Sequence, residues 1–169
     1  QRQVPDVQVL IGGGGILLDE ITKRLESQGL SNFVRILGWV PYEMANTLIG
    51  CCDVTVAPFI SERNEKIGLS PLKIRDYASA GRPTVTSDLP GLAELAKKGV
   101  LVTCDTAVPS VLSSVIADLL KDEPRRQRIS KKARQFAEVN FDWSMVAQRI
   151  LDISRPRRGR SMPVIAHVI

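Results

Sequence analysis

The sequence predicts an α/β fold, a parallel sheet with helices on both faces. Three observations carry the expectation. Short apolar runs alternate with helical patterns along most of the chain, which is the order of βαβ units. Two of the helical patterns stop at a glycine, Gly29 and Gly81, just before the next apolar run. At 169 residues, 44% hydrophobic and 24% charged, the chain is long enough for one proper core and too short for two large ones.

In order, residues 7–11 read as a buried strand running into Gly12, Gly13, Gly14 and Gly15, and 16–28 as an amphipathic helix. A second strand over 33–37 turns at Gly38, Trp39, Val40 and Pro41 into a helix over 42–51. A third strand at 53–57 leads into a polar loop, 58–69, long enough to suggest a functional role. The remaining expected elements are a helix from Ser70, a strand at 83–86, a short helix at 91–98, a strand at 100–103 and helices at 109–121, 124–140 and 143–153. Ligands of such sheets bind beyond the carboxyl ends of the strands. The glycine run, the 38–41 turn and the 58–70 loop should therefore meet there.

The helix after the long loop carries an unusual charge. Ser70 suits the N-cap and Pro71 the first helical position, yet Lys73 stands where a capping box would place Glu or Gln. A cation in a first turn opposes the helix dipole at a cost of about 0.3–1 kcal/mol. An anion at that end reverses the sign, because free backbone amides and the ammonium then attract the same group. A phosphate site is the simplest reading. Trp39 and Tyr77 are expected to be packing groups, Trp143, Cys51 and Cys52 core residues, and Asp88 and Glu94 cap and surface residues.

Composition narrows the chemistry. The three cysteines, Cys51, Cys52 and Cys104, lack metal-ligand spacing and read as reduced thiols. The single histidine, His167, lies in the last residues, so no Ser-His-Asp or Cys-His site is expected in the domain, and no metal centre. No apolar run approaches the ~20 residues of a membrane span, and the opening residues carry no secretory pattern. A cytoplasmic protein is expected. The net charge of +5 gathers in Arg125, Arg126, Arg128, Lys131, Lys132 and the arginines of 155–160. An anionic membrane surface could use these residues, although a solvated helix face followed by a basic tail is the plainer reading. No aromatic residues alternate with them as a nucleic-acid platform requires.

The stretch GLSPLKIRDYASAGRPTV (68–85), with GLAEL (91–95), VLIGGGG (9–15), FVRILGWVP (33–41), CDVTVAPF (52–59) and FDWSMVAQRIL (141–151), carries a resemblance. Together, in this order, these segments resemble the C-terminal, nucleotide-sugar-binding half of retaining glycosyltransferases of the GT-B fold, group 1 or family 4 type. The resemblance covers residues 5–153 and implies a nucleotide-sugar-binding Rossmann-like domain over 1–153, followed by a basic linker and apolar tail over 154–169. It implies that Glu65 meets hydroxyls of the transferred sugar, and that backbone amides of Gly68, Leu69 and Ser70, with Lys73, hold the diphosphate. It implies too that Val40 contacts the base through its backbone and that Gly13, Gly14 and Gly15 let the donor approach. Many relatives bind the ribose with a second glutamate at the position of Lys73. A branch of the family has lysine there and an acidic residue three positions on, which Asp76 fits.

The resemblance also implies a gap. The first strand here corresponds to the family's second, so a strand in the middle of the sheet is missing. An empty slot would leave two rows of backbone groups unpaired. The apolar segment 163–169 (PVIAHVI), or another chain, is the expected occupant.

The implied enzyme transfers a hexose from a nucleoside-diphosphate sugar to an acceptor held by a separate N-terminal domain, with retention, no metal and no other cofactor. Glu65 and Lys73 are the implied catalytic residues, and this chain alone should turn over little. A nucleotide-sugar epimerase and a non-catalytic nucleotide-binding or assembly module are the alternatives.

Overall fold

The computed structural model describes residues 4–60, 62–64 and 71–155. Strands β1 (Val9–Gly12), β2 (Val34–Gly38), β3 (Thr55–Ala57), β4 (Thr84–Ser87) and β5 (Val102–Cys104) alternate with helices α1 (Leu18–Ser27), α2 (Tyr42–Gly50), α3 (Leu72–Ser79) and α4 (Pro90–Lys97). Helices α5 (Pro109–Lys121), α6 (Glu123–Asn140) and α7 (Trp143–Ser154) follow among the described residues. Every strand pairing is parallel, as the alternation predicts. Within the expected 58–69 loop, the described residues 62–64 are helical.

One local device sends three helices back toward the sheet. After α3, Gly81 takes a φ of 63°, its N–H reaching the Ala78 carbonyl while the Arg82 N–H reaches that of Tyr77. This Schellman pairing satisfies carbonyls of the last turn and needs the left-handed backbone that glycine adopts at little cost. The same pair of bonds recurs around Gly29 after α1 and Gly99 after α4. Asp122 and Asp142 cap α6 and α7, accepting from the N–H groups of Arg125 and Ser144.

The strands form two sheets. β1 pairs with β2, and β3, β4 and β5 pair in that order, with β4 central. No ladder joins β1 to β3. A cavity of about 1050 Å³ lies between them, lined by Val7, Gln8, Val9 and Leu10 on one side and by Asp53, Val54, Thr55 and Val56 on the other. The slot expected for a missing central strand is thus present among the described residues. Residues 163–169 fall outside them. The open flank corrects one expectation: β1 is exposed along its whole length rather than buried.

The core sits in the second sheet and its helices. Ala57, Ile74, Leu89, Leu92 and Leu101 form one cluster, Ala78, Val100, Ala133 and Ala137 a second, and Val85, Leu119 and Ile129 a third. The buried hydroxyls of Thr55, Thr84, Thr86 and Ser87 are all bonded, whereas the buried Arg82 Nε has no partner among the described residues. The Thr55 and Thr84 hydroxyls pair at 2.9 Å, and Thr86 donates to the Ala57 carbonyl at 2.7 Å.

Helix α7 supplies another correction. Trp143, expected in the core, is 81% exposed: α7 packs chiefly on α6 and has no buried residue. Cys51, expected to be buried, is exposed at the end of α2, whereas Cys52 is half-buried and donates to the Leu48 carbonyl. Asp88 caps nothing. Pro90 opens α4, which puts the extended Leu89 at the N-cap, while the Asp88 N–H bonds the Cys104 carbonyl. Glu94 is a surface residue paired with Lys97 at 2.7 Å.

Candidate functional site

The carboxyl end of β1 is tied to that of β2. The Gly13 N–H donates to the Gly38 carbonyl at 2.7 Å, with φ of 129° at Gly13 and 65° at Gly38. A side chain at Gly13 would meet nothing within 4 Å, so glycine is needed there for its backbone angle and leaves the space beside it open. Close approach falls instead on Gly12, where a Cβ would lie 3.3 Å from the Val40 side chain. These two strand ends form one rim of the cavity.

Helix α3 forms the other rim. It begins one residue later than expected: Pro71 is the N-cap, with ψ of 73°, and its carbonyl accepts from the Ile74 N–H at 3.0 Å. Lys73 is therefore the second helical residue, still in the first turn. That turn contains no acidic residue. Among the described residues no carboxylate lies within ion-pair distance of the exposed Lys73 ammonium. The ammonium stands 5.9 Å from the centre of the Phe59 ring. Phe59 is itself pinned, since its N–H donates to the Ser87 hydroxyl at 2.7 Å and that hydroxyl donates to the Phe59 carbonyl at 2.9 Å. The last residue of β4 thus holds the backbone of the residue whose ring the lysine approaches, a support that sequence reasoning missed.

One turn along α3, Asp76 is half-buried, and burial holds its carboxyl above the ordinary 3.8. Tyr77 packs against the first core cluster, and burial raises its hydroxyl, with Cys52 and Asp76 adding to the effect. An acid whose folded-state value is raised destabilises the fold as pH climbs from 3.8 through that value, and the cost stays in full above it. Asp76→Asn is therefore expected to raise the melting temperature at neutral pH and to leave it unchanged where the acid is protonated in both states. Equal melting temperatures at neutral pH would show that the carboxyl carries no such cost.

Gly13, Val40, Lys73 and Asp76 line one cavity, joined by Gly12, Trp39 and Tyr77. Gly14 and Gly15 lie beyond its lining, and Glu65, Gly68, Leu69 and Ser70 fall outside the described residues. Trp39 corrects the expectation of a packing group: its indole is 84% exposed. No cluster of His, Cys, Asp or Glu able to hold a metal occurs among the described residues. Chemically, the rim of α3 offers a cation at a helix start with no carboxylate partner among the described residues and, a turn away, a hydroxyl acceptor.

The sequence model of the family described as Glycosyl transferases group 1 matches residues 1–136. The chain belongs to the group 1 glycosyl transferases. Among curated members, glycogen synthase of Mycobacterium tuberculosis is 26% identical over 176 residues, covering 100% of this chain and 41% of that protein. The GDP-mannose-dependent monoacylated alpha-(1-6)-phosphatidylinositol monomannoside mannosyltransferase of Corynebacterium glutamicum is 27% identical over 160 residues, 90% of this chain and 40% of its own. This group 1 chain thus spans about two-fifths of the length of these relatives. Its fold matches sucrose-phosphate synthase from Thermosynechococcus elongatus with a TM-score of 0.77 at 19% identity, over 89% of this chain and 38% of that one. It matches Anabaena Alr3699/HepE in complex with UDP with a TM-score of 0.72 at 22% identity, over 89% and 41%.

Proposed function

We propose that this chain is the donor-binding part of a glycosyltransferase that moves a hexose from a nucleoside-diphosphate sugar with retention of configuration. The observation that carries the reading is that Gly13 and Val40, just past the carboxyl ends of β1 and β2, line the cavity between β1 and β3 together with Lys73 and Asp76 of α3. Support comes from the family and from HepE, whose structures include complexes with UDP and with UDP-glucose.

In this reading Lys73 and the start of α3 receive the diphosphate, with the amides of Gly68, Leu69 and Ser70, and Asp76 accepts from the ribose. The Val40 backbone meets the base, the Gly13–Gly15 run gives the donor room, and Glu65 orients the sugar. The leaving group is a nucleoside diphosphate, so the chain's task is to stabilise charge on the β-phosphate as the glycosidic bond lengthens. A fixed cation and backbone donors meet that need without a divalent metal. The acceptor would be held by an N-terminal domain outside this chain. Peripheral contact with an anionic lipid surface would use Arg128, Lys131 and Lys132, which α6 leaves exposed. Arg126 is half-buried instead, its Nη1 bonded to the Leu119 and Leu120 carbonyls.

The test is thermal melting of this chain with UDP, GDP and ADP. A ligand present at ten times its Kd adds about 1.4 kcal/mol, a rise of a few degrees for a domain of this size. No rise with any of the three would overturn the proposal.

A further inference from the structure

Ser87 closes β4, is 3% exposed, and carries three hydrogen bonds on one hydroxyl. Its oxygen accepts from the Phe59 N–H, and its proton goes to the Phe59 carbonyl. A hydroxyl has one proton, so the third bond, 2.5 Å to the Thr106 hydroxyl, runs from Thr106 to Ser87. The β3–β4 ladder ends at Ala57 and Thr86, and beyond it this one side chain serves both backbone groups of Phe59. The Phe59 ring packs against the first core cluster, which includes Ile74, the residue after Lys73. Backbone bonds on one side and core packing on the other restrict where that ring can sit. The Lys73 ammonium lies 5.9 Å from its centre.

We infer that Ser87 is a positioning residue of the donor site, acting through Phe59 on Lys73. This role rests on the donor-site reading above and extends it to a residue outside the cavity lining. A lysine carries its charge on a flexible four-carbon stem, and holding that stem in one place costs side-chain entropy. With no carboxylate partner among the described residues, the Lys73 ammonium is biased toward the rim by the π system of Phe59. Without the Ser87 hydroxyl, the N–H and the carbonyl of Phe59 both lose their partner, so the exit of β3 shifts to find others. The ammonium then samples more rotamers and pays more entropy to meet a diphosphate. Thr106 belongs to the same device. Its donation leaves the Ser87 proton for the Phe59 carbonyl and keeps the hydroxyl turned that way.

The experiment measures binding of UDP and of inorganic pyrophosphate by calorimetry in the wild-type chain, Ser87→Ala, Ser87→Thr, Phe59→Leu and the double variant Ser87→Ala/Phe59→Leu. Losing one cation–π contact at an exposed site corresponds to about two- to fivefold in affinity. Ser87→Ala and Phe59→Leu should each weaken both ligands by that factor, since the diphosphate is the part the ligands share. Ser87→Thr keeps the hydroxyl and should bind as wild type does. In the Phe59→Leu background, Ser87→Ala should cause no further loss of affinity, although it lowers the melting temperature in both backgrounds. A serine with a structural role alone would weaken binding by the same factor in each. The role is overturned by undiminished binding in Ser87→Ala, by a loss for UDP alone, or by equal losses in both backgrounds. It is overturned equally if Ser87→Thr is as weak as Ser87→Ala. Should Ser87→Ala fail to fold, Thr106→Ala takes its place in the same cycle, with the same outcomes. In all those cases the wild-type chain still binds UDP, and the donor-site reading stands. Failure of both ligands to bind the wild-type chain removes the two together.

Discussion

Leu119→Ala is expected to destabilise the chain by about 2–5 kcal/mol, the range for a buried leucine cut back to alanine. Leu119 is 0% exposed and joins Val85 of β4 to Ile129 of α6, with Val54, Val102, Leu112, Val115 and Ile116 packed around them. The cavity left behind has little chance to close. One wall is β4, held by ladders on both sides, and another is α5, whose final carbonyls are bonded to Arg126. Folded domains of ordinary stability have roughly 5–15 kcal/mol in hand, so the loss is a large share. At about 2–4 °C per kcal/mol for a domain of this size, the melting temperature should fall by roughly 5–15 °C. Urea unfolding would show a lower midpoint with an unchanged slope. Ile153→Ala is the control: Ile153 is 86% exposed on α7, and its removal should stay within ±0.5 kcal/mol. Similar losses for the two would mean that the third cluster is not the anchor of α5 and α6.

The β–α order was legible because each element announces its own period and its own stop. Gly29 and Gly81 end helices for a purely local reason, the left-handed residue of a Schellman turn, and local rules survive any tertiary setting. Burial was read less well. Residues 9–11 look like an interior strand by composition, yet what buries a strand is its neighbour, and β1 faces an open slot. Trp143 fails for the same reason: an apolar stripe shows that a helix has a face to cover, not that a covering element is present. Pro71 lies one place earlier in its helix than expected. Proline's fixed φ suits both the N-cap and the first helical position, and only ψ separates them.

The candidate site was legible where topology alone decides it. Gly13, Val40, Lys73 and Asp76 reach one cavity because parallel strands point their carboxyl ends the same way. The Ser87–Phe59 clasp beneath Lys73 was not legible. Nothing in a serine closing a strand says that it will exchange two hydrogen bonds with a residue 28 positions earlier. The apposition of Phe59 and Ser87 follows only from the β3–β4 register, in which Ala57 faces Thr86.

Lys73→Ala should separate stability from function. In the protein without ligand, the lysine opposes the dipole of α3 at a cost of about 0.3–1 kcal/mol, partly offset by its position near the Phe59 ring. Removing it is therefore expected to leave the melting temperature of the free chain unchanged or slightly higher. On the proposed function the nucleotide-induced rise should shrink or vanish, because the cation assigned there to the diphosphate is gone. If the proposed transferase activity is measured with the proposed acceptor domain present, kcat is expected to fall by about 10²–10³, the usual cost of deleting one donor to the charge that grows in the transition state. Lys73→Arg should recover part of the binding but less of kcat, since a planar guanidinium does not place its charge where an ammonium does. A lower melting point without ligand would make Lys73 a structural residue. Undiminished turnover in Lys73→Ala would remove it from the diphosphate site, leaving the amides at the start of α3 to act without it.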